Sequence, residues 1–346
     1  MLTPRTVLCY SDGESRTFNP VREAGKDVMD QDTVLSPSLA VEVAGIRFAN
    51  PVLAAPGPLG FGREAQNVVN LHAFGGFITK TLTVEPREGN PHPQLARTDA
   101  GWLNSLGLPN KGLAAFLTRE LPFLTTLGIP IIVSVAGHSI DEFVTLLEWI
   151  GKEPAVAGIE LNLSCPNVED GLTFAVDAGA TRELLARLRP LTTKPLIAKL
   201  SPNVTDIVSI ARAAHEGGAN ALTLINTLMG MAIDVETRRP RLGAITGGLS
   251  GPAIRPVAVR IVWEVARVVP LPVIGAGGVA SASDALEFMI AGAGAVAIAA
   301  AVIDRPTVAE DVVAGLTAYA RRHRLDSLTQ IVGTLETRAP AAPAGT

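Results

Sequence analysis

Eight short apolar runs recur along this chain with helix-like stretches between most of them, and that alternation limits the available folds more than any other feature. The runs span residues 51–55, 76–80, 130–135, 158–164, 195–199, 221–226, 272–275 and 295–299. Each is short, rich in Val, Ile, Leu or Ala, and most are bounded by Gly, Pro or a polar residue, as buried strands are. Residues 140–150, 181–188, 204–216, 254–268 and 281–291 instead carry the apolar spacing of amphipathic helices. Several open on a capping candidate: Ser139 or Asp141, Asn203, and Ser281 or Ser283. Parallel strands need crossover connections, and eight of them can close without leaving an edge, so the pattern predicts a (β/α)8 TIM barrel in the α/β class. An open doubly wound sheet is the alternative. In that fold the glycine-rich turn follows the first strand, whereas the tightest glycine cluster here, Gly275-Ala-Gly-Gly278, follows the seventh.

The span 41–335 holds this pattern and is the expected barrel domain. Residues 1–40 are polar, mixed in charge and aperiodic, and read as an N-terminal extension; 336–346, made largely of Ala, Pro and Gly, read as a disordered tail. The connection 228–252 is long and glycine-rich, a candidate cover for an active site. A net charge of −4 argues against nucleic acid as the main partner, and 4% aromatic residues leave little surface for stacking on bases. No run of about 18 apolar residues is present, nor a basic start followed by an apolar segment. Neither a membrane span nor a secretory signal is therefore expected, and the protein reads as cytoplasmic. The two cysteines, Cys9 and Cys165, form no CxxC, and the five histidines are scattered, so no metal site, iron–sulfur cluster or disulfide framework is expected.

In barrels of this kind chemistry sits where strands end, so the polar residues there carry the functional reading. The stretch 158–167 alternates apolar and polar residues, then Pro166 stops ladder pairing and leaves Cys165 where a strand opens into a loop. A buried structural cysteine is the plain alternative, but Asn162 and Asn167 bracket the thiol with donors and acceptors an apolar core has no use for. Lys80 and Lys199 close apolar runs, Asn104 lies in the loop after the second, and Asn226-Thr227 end the sixth. A lysine alone can snorkel to the rim; two lysines with several asparagines and a thiol point to a pocket for an amide-like ligand bearing a carboxylate or delocalised anion. Gly277-Gly278, opening the helix that starts near Ser281, is a candidate phosphate cradle or simply turn chemistry.

Taken together, Leu161-Asn-Leu-Ser-Cys-Pro-Asn167, Thr79-Lys-Thr81, Leu103-Asn-Ser-Leu-Gly-Leu108 and Ala198-Lys-Leu-Ser-Pro202 resemble the class 1 dihydroorotate dehydrogenases. Asn226-Thr-Leu-Met-Gly230 and Thr246-Gly-Gly-Leu-Ser-Gly-Pro-Ala253 are most similar to the 1B type, and the likeness runs from about Val41 to about Val332. The resemblance implies an FMN-containing barrel that oxidises dihydroorotate to orotate in pyrimidine biosynthesis, with Cys165 as general base and hydride transfer to the flavin. It implies a substrate site of Lys80, Asn104, Ser105, Leu106, Gly107, Leu108, Asn162, Asn167, Asn226 and Thr227. It implies an FMN site of Lys80, Thr81, Asn162, Lys199, Ile225, Gly251, Gly277, Gly278, Ala299 and Ala300. It further implies an oligomer and a separate electron-transfer subunit carrying FAD and an iron–sulfur cluster, since this chain has no cysteine cluster. Three positions depart from the family pattern: Pro56 stands for a serine, Ser134 for an asparagine, and Ala299-Ala300 for the Gly-Thr at the flavin phosphate. A lost hydroxyl contact to phosphate costs about 1.5–3 kcal/mol, so weakened or altered FMN binding is expected. Two other readings compete: a dihydropyrimidine dehydrogenase-like reductase, suggested by residues 203–212, and a non-catalytic barrel that has lost its flavin.

Overall fold

A computed structural model describes residues 37–163, 174 and 176–337. Cys165, Asn167, nearly all of the expected N-terminal extension and nearly all of the expected tail lie outside the described residues. Eight parallel strands form a closed barrel in sequence order: β1 (Val52–Ala54), β2 (Gly76–Ile78), β3 (Ile131–Val135), β4 (Val156–Asn162), β5 (Leu196–Lys199), β6 (Ala221–Leu224), β7 (Val273–Ala276) and β8 (Ala295–Ile298), with β8 pairing β1. Every run expected from the sequence is one of these strands, and the closed order excludes the open sheet.

Helices Ile140–Ile150, Ala178–Leu188, Ile207–Glu216, Arg255–Ala266 and Ala282–Ala291 fill the connections from β3 onward. Ser139 and Ser281 cap their helices, their hydroxyls accepting from Glu142 N and Asp284 N. Asn203 does not cap. The third of these helices begins later, at Ile207, with Asp206 accepting from Ser209 N, because the Asn203 amide is engaged elsewhere: it donates to Thr227 O at 3.0 Å and accepts from Met229 N at 2.9 Å.

Two apolar layers hold the barrel. One packs the outer faces of the strands against the helices. The other fills the interior with Leu53, Ile78, Ile132, Ile197 and Ile274 beside the small Ala221, Ala276, Ala295 and Ala297. A hairpin, Val41–Val43 paired with Ile46–Phe48, joins this inner layer at the N-terminal ends of the strands, burying Val41, Val43, Ile46 and Phe48. The fit there is tight enough to require glycine: a Cβ on Gly76 would lie 2.6 Å from the Phe48 ring, and one on Gly158 would lie 2.8 Å from Ile46.

At the opposite end two long connections build a four-stranded antiparallel sheet that the sequence does not announce. Its order is Leu228–Met231, Thr246–Ser250, Gly101–Asn104, Leu95–Thr98, so segments after β6 pair with segments after β2. Both ends of the expected cover 228–252 are therefore ladder. Its glycines serve close approach: a Cβ on Gly248 would lie 2.0 Å from the Thr227 hydroxyl oxygen.

Candidate active site

The strands deliver their polar termini to one cleft. A cavity of about 220 Å³ is lined by Lys80 and Thr81 after β2, Asn162 ending β4, Lys199 ending β5, Asn226 and Thr227 after β6, and Ala299 and Ala300 after β8. Asn104, Leu106, Gly107 and Leu108 close it from the sheet side. A neighbouring cavity of about 80 Å³ shares Lys199, Asn226, Thr227, Ala299 and Ala300 and adds Ile225, Gly251, Gly277 and Gly278. Of the expected site residues that the structure describes, only Ser105 stays out of both linings. Its hydroxyl accepts from Asn90 Nδ2 at 2.8 Å and its amide donates to Gln94 O. Pro56, Trp102, Ser250 and Ile303 also line the larger cavity. Of these, Trp102, Ser250 and Ile303 carry no polar strand-end signal that would single them out beforehand.

Register explains the clustering. Asn162 lies opposite Lys199 and Thr223 opposite Lys199, so three neighbouring strands place polar groups side by side at the rim. Below them Ser134 lies opposite Glu160, and both are fully buried. The Glu160 carboxylate accepts from Ser134 Oγ at 3.1 Å and from Thr223 Oγ1 at 2.9 Å, and its Oε1 lies 3.8 Å from Lys199 Nζ. Ser134 Oγ is 3.1 Å from Thr81 Oγ1, which accepts from Asn162 Nδ2 at 3.3 Å; Asn162 Oδ1 accepts from Asn226 Nδ2 at 3.2 Å. Asn226 Oδ1 in turn accepts from Thr227 N at 2.8 Å. Sequence reasoning misses Glu160, whose one signal is an acid inside an apolar strand. Lys80 stands on the far wall, where burial pulls its ammonium below the usual lysine value and the Glu64 carboxylate acts in the opposite sense.

The smaller cavity ends in backbone. Gly251, Gly277 and Gly278 have φ of 101°, 119° and 90°, the left-handed side of the map that favours glycine. A Cβ on Gly278 would lie 2.8 Å from both the Arg255 side chain and Gly251 O. The turn is held by the Arg255–Asp284 pair and by Asp284 Oδ2 accepting from Ala280 N at 2.9 Å. Small residues (Ala55, Ala276, Ala297 and Ala299) floor the space between this turn and Lys199. A lining of small apolar side chains, a lysine and amides at mid-length and a glycine turn beside a helix start fit an elongated ring system with a phosphate tail.

The family model described as dihydroorotate dehydrogenase matches residues 38–319, which spans the barrel. The chain belongs to that family. Dihydroorotate dehydrogenases are flavin-dependent oxidoreductases, and the cleft suits such a cofactor on its own geometry. The "Dihydroorotate dehydrogenase B (NAD(+)), catalytic subunit" of Geotalea uraniireducens (strain Rf4) is 48% identical over 302 residues, covering 87% of this chain and 99% of the relative. The proteins of the same name from Geotalea daltonii and Pelobacter propionicus are 47% and 46% identical, with 87% of this chain covered in each case and 99% and 100% of the relative. This agreement favours the dehydrogenase reading over a dihydropyrimidine reductase or an inert barrel. Among the described residues no helix is long and apolar enough to cross a membrane.

Proposed function

We propose that this chain is the catalytic subunit of a 1B-type dihydroorotate dehydrogenase, with FMN along the two joined cavities and Cys165 as the base. The reaction is the oxidation of dihydroorotate to orotate in pyrimidine biosynthesis. The observation that carries the reading is the convergence of Lys80, Asn104, Asn162, Asn226 and Thr227 on one cavity that continues past Lys199 to the glycine turn. Amides and a lysine match the carboxylate and ring amides of the substrate, which need both donors and a positive charge.

Lys199 and Thr81 would hold the ring end of FMN, and Gly251, Gly277 and Gly278 its phosphate end, with Ala299 and Ala300 offering backbone only. FMN held there would supply the two-electron acceptor for the hydride at C6 of the substrate. Cys165 follows Asn162 by three residues in the sequence and, as thiolate, takes the proton from C5, so that loss of the two hydrogens leaves the C5–C6 double bond of orotate. Closure of the cleft by Asn104 and Leu106 to Leu108 keeps water from the exchange.

The relatives are named as catalytic subunits of an NAD(+) enzyme, which supports a second polypeptide that carries the electrons onward. We assign it the FAD and iron–sulfur cluster, because two cysteines cannot bind a cluster here, and we place both chains in the cytoplasm. The test is the visible spectrum of the purified chain before and after anaerobic dihydroorotate. Bleaching of a band near ~450 nm is expected for a bound, reducible flavin. A colourless protein that stays so after incubation with FMN would sink the assignment and make the Pro56 and Ala299-Ala300 changes decisive.

A further inference from the structure

The interior of a (β/α)8 barrel is ordinarily packed by branched apolar side chains, yet here a fully buried carboxylate sits just under the floor of the cleft. An isolated charge there is costly, so its partners define what it is for. Glu160 has three: the Ser134 and Thr223 hydroxyls, one on each carboxylate oxygen, and the Lys199 ammonium at 3.8 Å. The two hydroxyls fix the plane of the carboxylate. The longer separation from Lys199 gives Coulombic attraction without a short hydrogen bond, so the lysine is held in place while its N–H groups are not committed to Glu160.

A carboxylate can only accept hydrogen bonds, and that fact propagates. Ser134 has a single hydroxyl proton and must give it to Glu160. The contact between Ser134 and Thr81 then needs its proton from Thr81, so Thr81 Oγ1 can only accept from Asn162. That turns the Asn162 amide with Nδ2 toward Thr81 and Oδ1 toward Asn226, and so turns Asn226 with Nδ2 toward Asn162 and Oδ1 toward Thr227 N. The Thr227 backbone N–H, which can only donate, holds Asn226 Oδ1 in the same sense from the other end, so the two ends of the relay agree.

We propose that Glu160 is a positioning residue that, acting through Ser134 and Thr81 together with the Thr227 N–H at the other end, holds the donor–acceptor polarity of Asn162 and Asn226, and that it anchors Lys199 as its counter-charge. It touches neither substrate nor cofactor. Its two effects differ in weight: the serine branch acts mainly on how the amides meet the orotate ring and reaches the flavin through Thr81, whereas the lysine branch acts on the flavin side. Serine at position 134 gives the branch one direction, because a hydroxyl has one proton where an amide has two. The proposal rests on the assignment of this pocket to flavin and dihydroorotate.

Three variants test it, each titrated with FMN and then, at saturating FMN, with orotate, while thermal unfolding monitors the fold. Ser134→Ala cuts only the amide branch and is expected to weaken orotate binding about tenfold and FMN binding, through Thr81, by no more than about threefold, with Ser134→Thr restoring the lost affinity. Glu160→Gln, whose amide can donate toward Ser134 and carries no charge, is expected to weaken both ligands about tenfold or more. A merely structural role predicts lowered melting temperatures with both dissociation constants of the folded protein within about twofold of the unaltered chain, and that result overturns the proposal. Failure of the pocket assignment is recognisable separately, because the unaltered chain would then bind no orotate at all, and both readings would fall together.

Discussion

Lys80 shows how a site residue taxes the fold that carries it. Its ammonium is part-buried, and burial lowers its proton affinity below that of a free lysine, with Glu64 opposing. Between the lowered folded value and the ordinary unfolded one the unfolded chain binds more protons, so this group's contribution to stability rises as pH climbs through the folded value. Near neutrality Lys80 is therefore a cost, and Lys80→Met is expected to raise the melting temperature by on the order of 1–2 °C while weakening orotate binding about tenfold; calorimetry and titration check the pair. Cys165 poses the complementary case. A cysteine thiol ionises near pH ~8.5 whereas a serine hydroxyl does not ionise in the working range, so Cys165→Ser should slow flavin reduction by dihydroorotate about 10²–10⁴-fold at pH 7 with FMN binding intact. A stopped-flow trace of unchanged rate would remove the thiol from the mechanism. Lys80, Lys199, Asn162 and Asn226 are legible in the sequence because a polar residue closing an apolar run has few places to go besides a pocket. Glu160 is not legible, since a lone acid in a strand means nothing until the register sets Ser134, Lys199 and Thr223 around it.

Among the elements, the strands of the barrel are readable because each is a brief apolar run with sharp boundaries, and the outer helices because burial on one side leaves its period in the sequence. The four-stranded sheet escapes that reading for two physical reasons. Its central strands contain Gly247, Gly248 and Gly101, poor strand formers chosen for close approach, and its pairing joins Gly248 to Asn104 across a separation in sequence that periodicity cannot sense. The hairpin at the opposite end is a different kind of part. Phe48 is 1% exposed and its ring occupies the space that a side chain on Gly76 would need, so it closes the inner apolar layer far from the cleft. Phe48→Ala is expected to cost about 3–5 kcal/mol, lowering the urea midpoint at unchanged slope. The kinetic constants of the surviving folded protein should not move, because the lost contacts lie at the N-terminal ends of the strands and every site residue at the other. A fall in orotate affinity proportional to the loss of stability would show that the hairpin supports the cleft as well as the core.

At the scale of the whole molecule the question is where two electrons go once they are on the flavin. Orotate leaves with none of them, so the reduced protein needs an oxidant before it can turn over again. Among the described residues no group of His, Cys, Asp and Glu could hold a metal ion, and the full chain has two cysteines, fewer than a cluster requires. The relatives carry the word subunit in their names together with NAD(+). With dihydroorotate and flavin sharing this one cleft, as proposed, the polar rim from Lys80 to Thr227 is taken up by those two ligands and no wall is left for a nicotinamide cofactor beside them. Direct reduction of NAD+ by this chain is therefore not expected. With dihydroorotate supplied, the purified chain should reduce a small artificial dye in repeated turnovers and form no NADH. NADH should appear only when the electron-transfer polypeptide is added, in proportion to that polypeptide until the two are equimolar. NADH formation by the isolated chain would place the acceptor in its own cleft and remove the need for a partner, whereas dye reduction that stops after one turnover would point to product held too tightly by the amide wall.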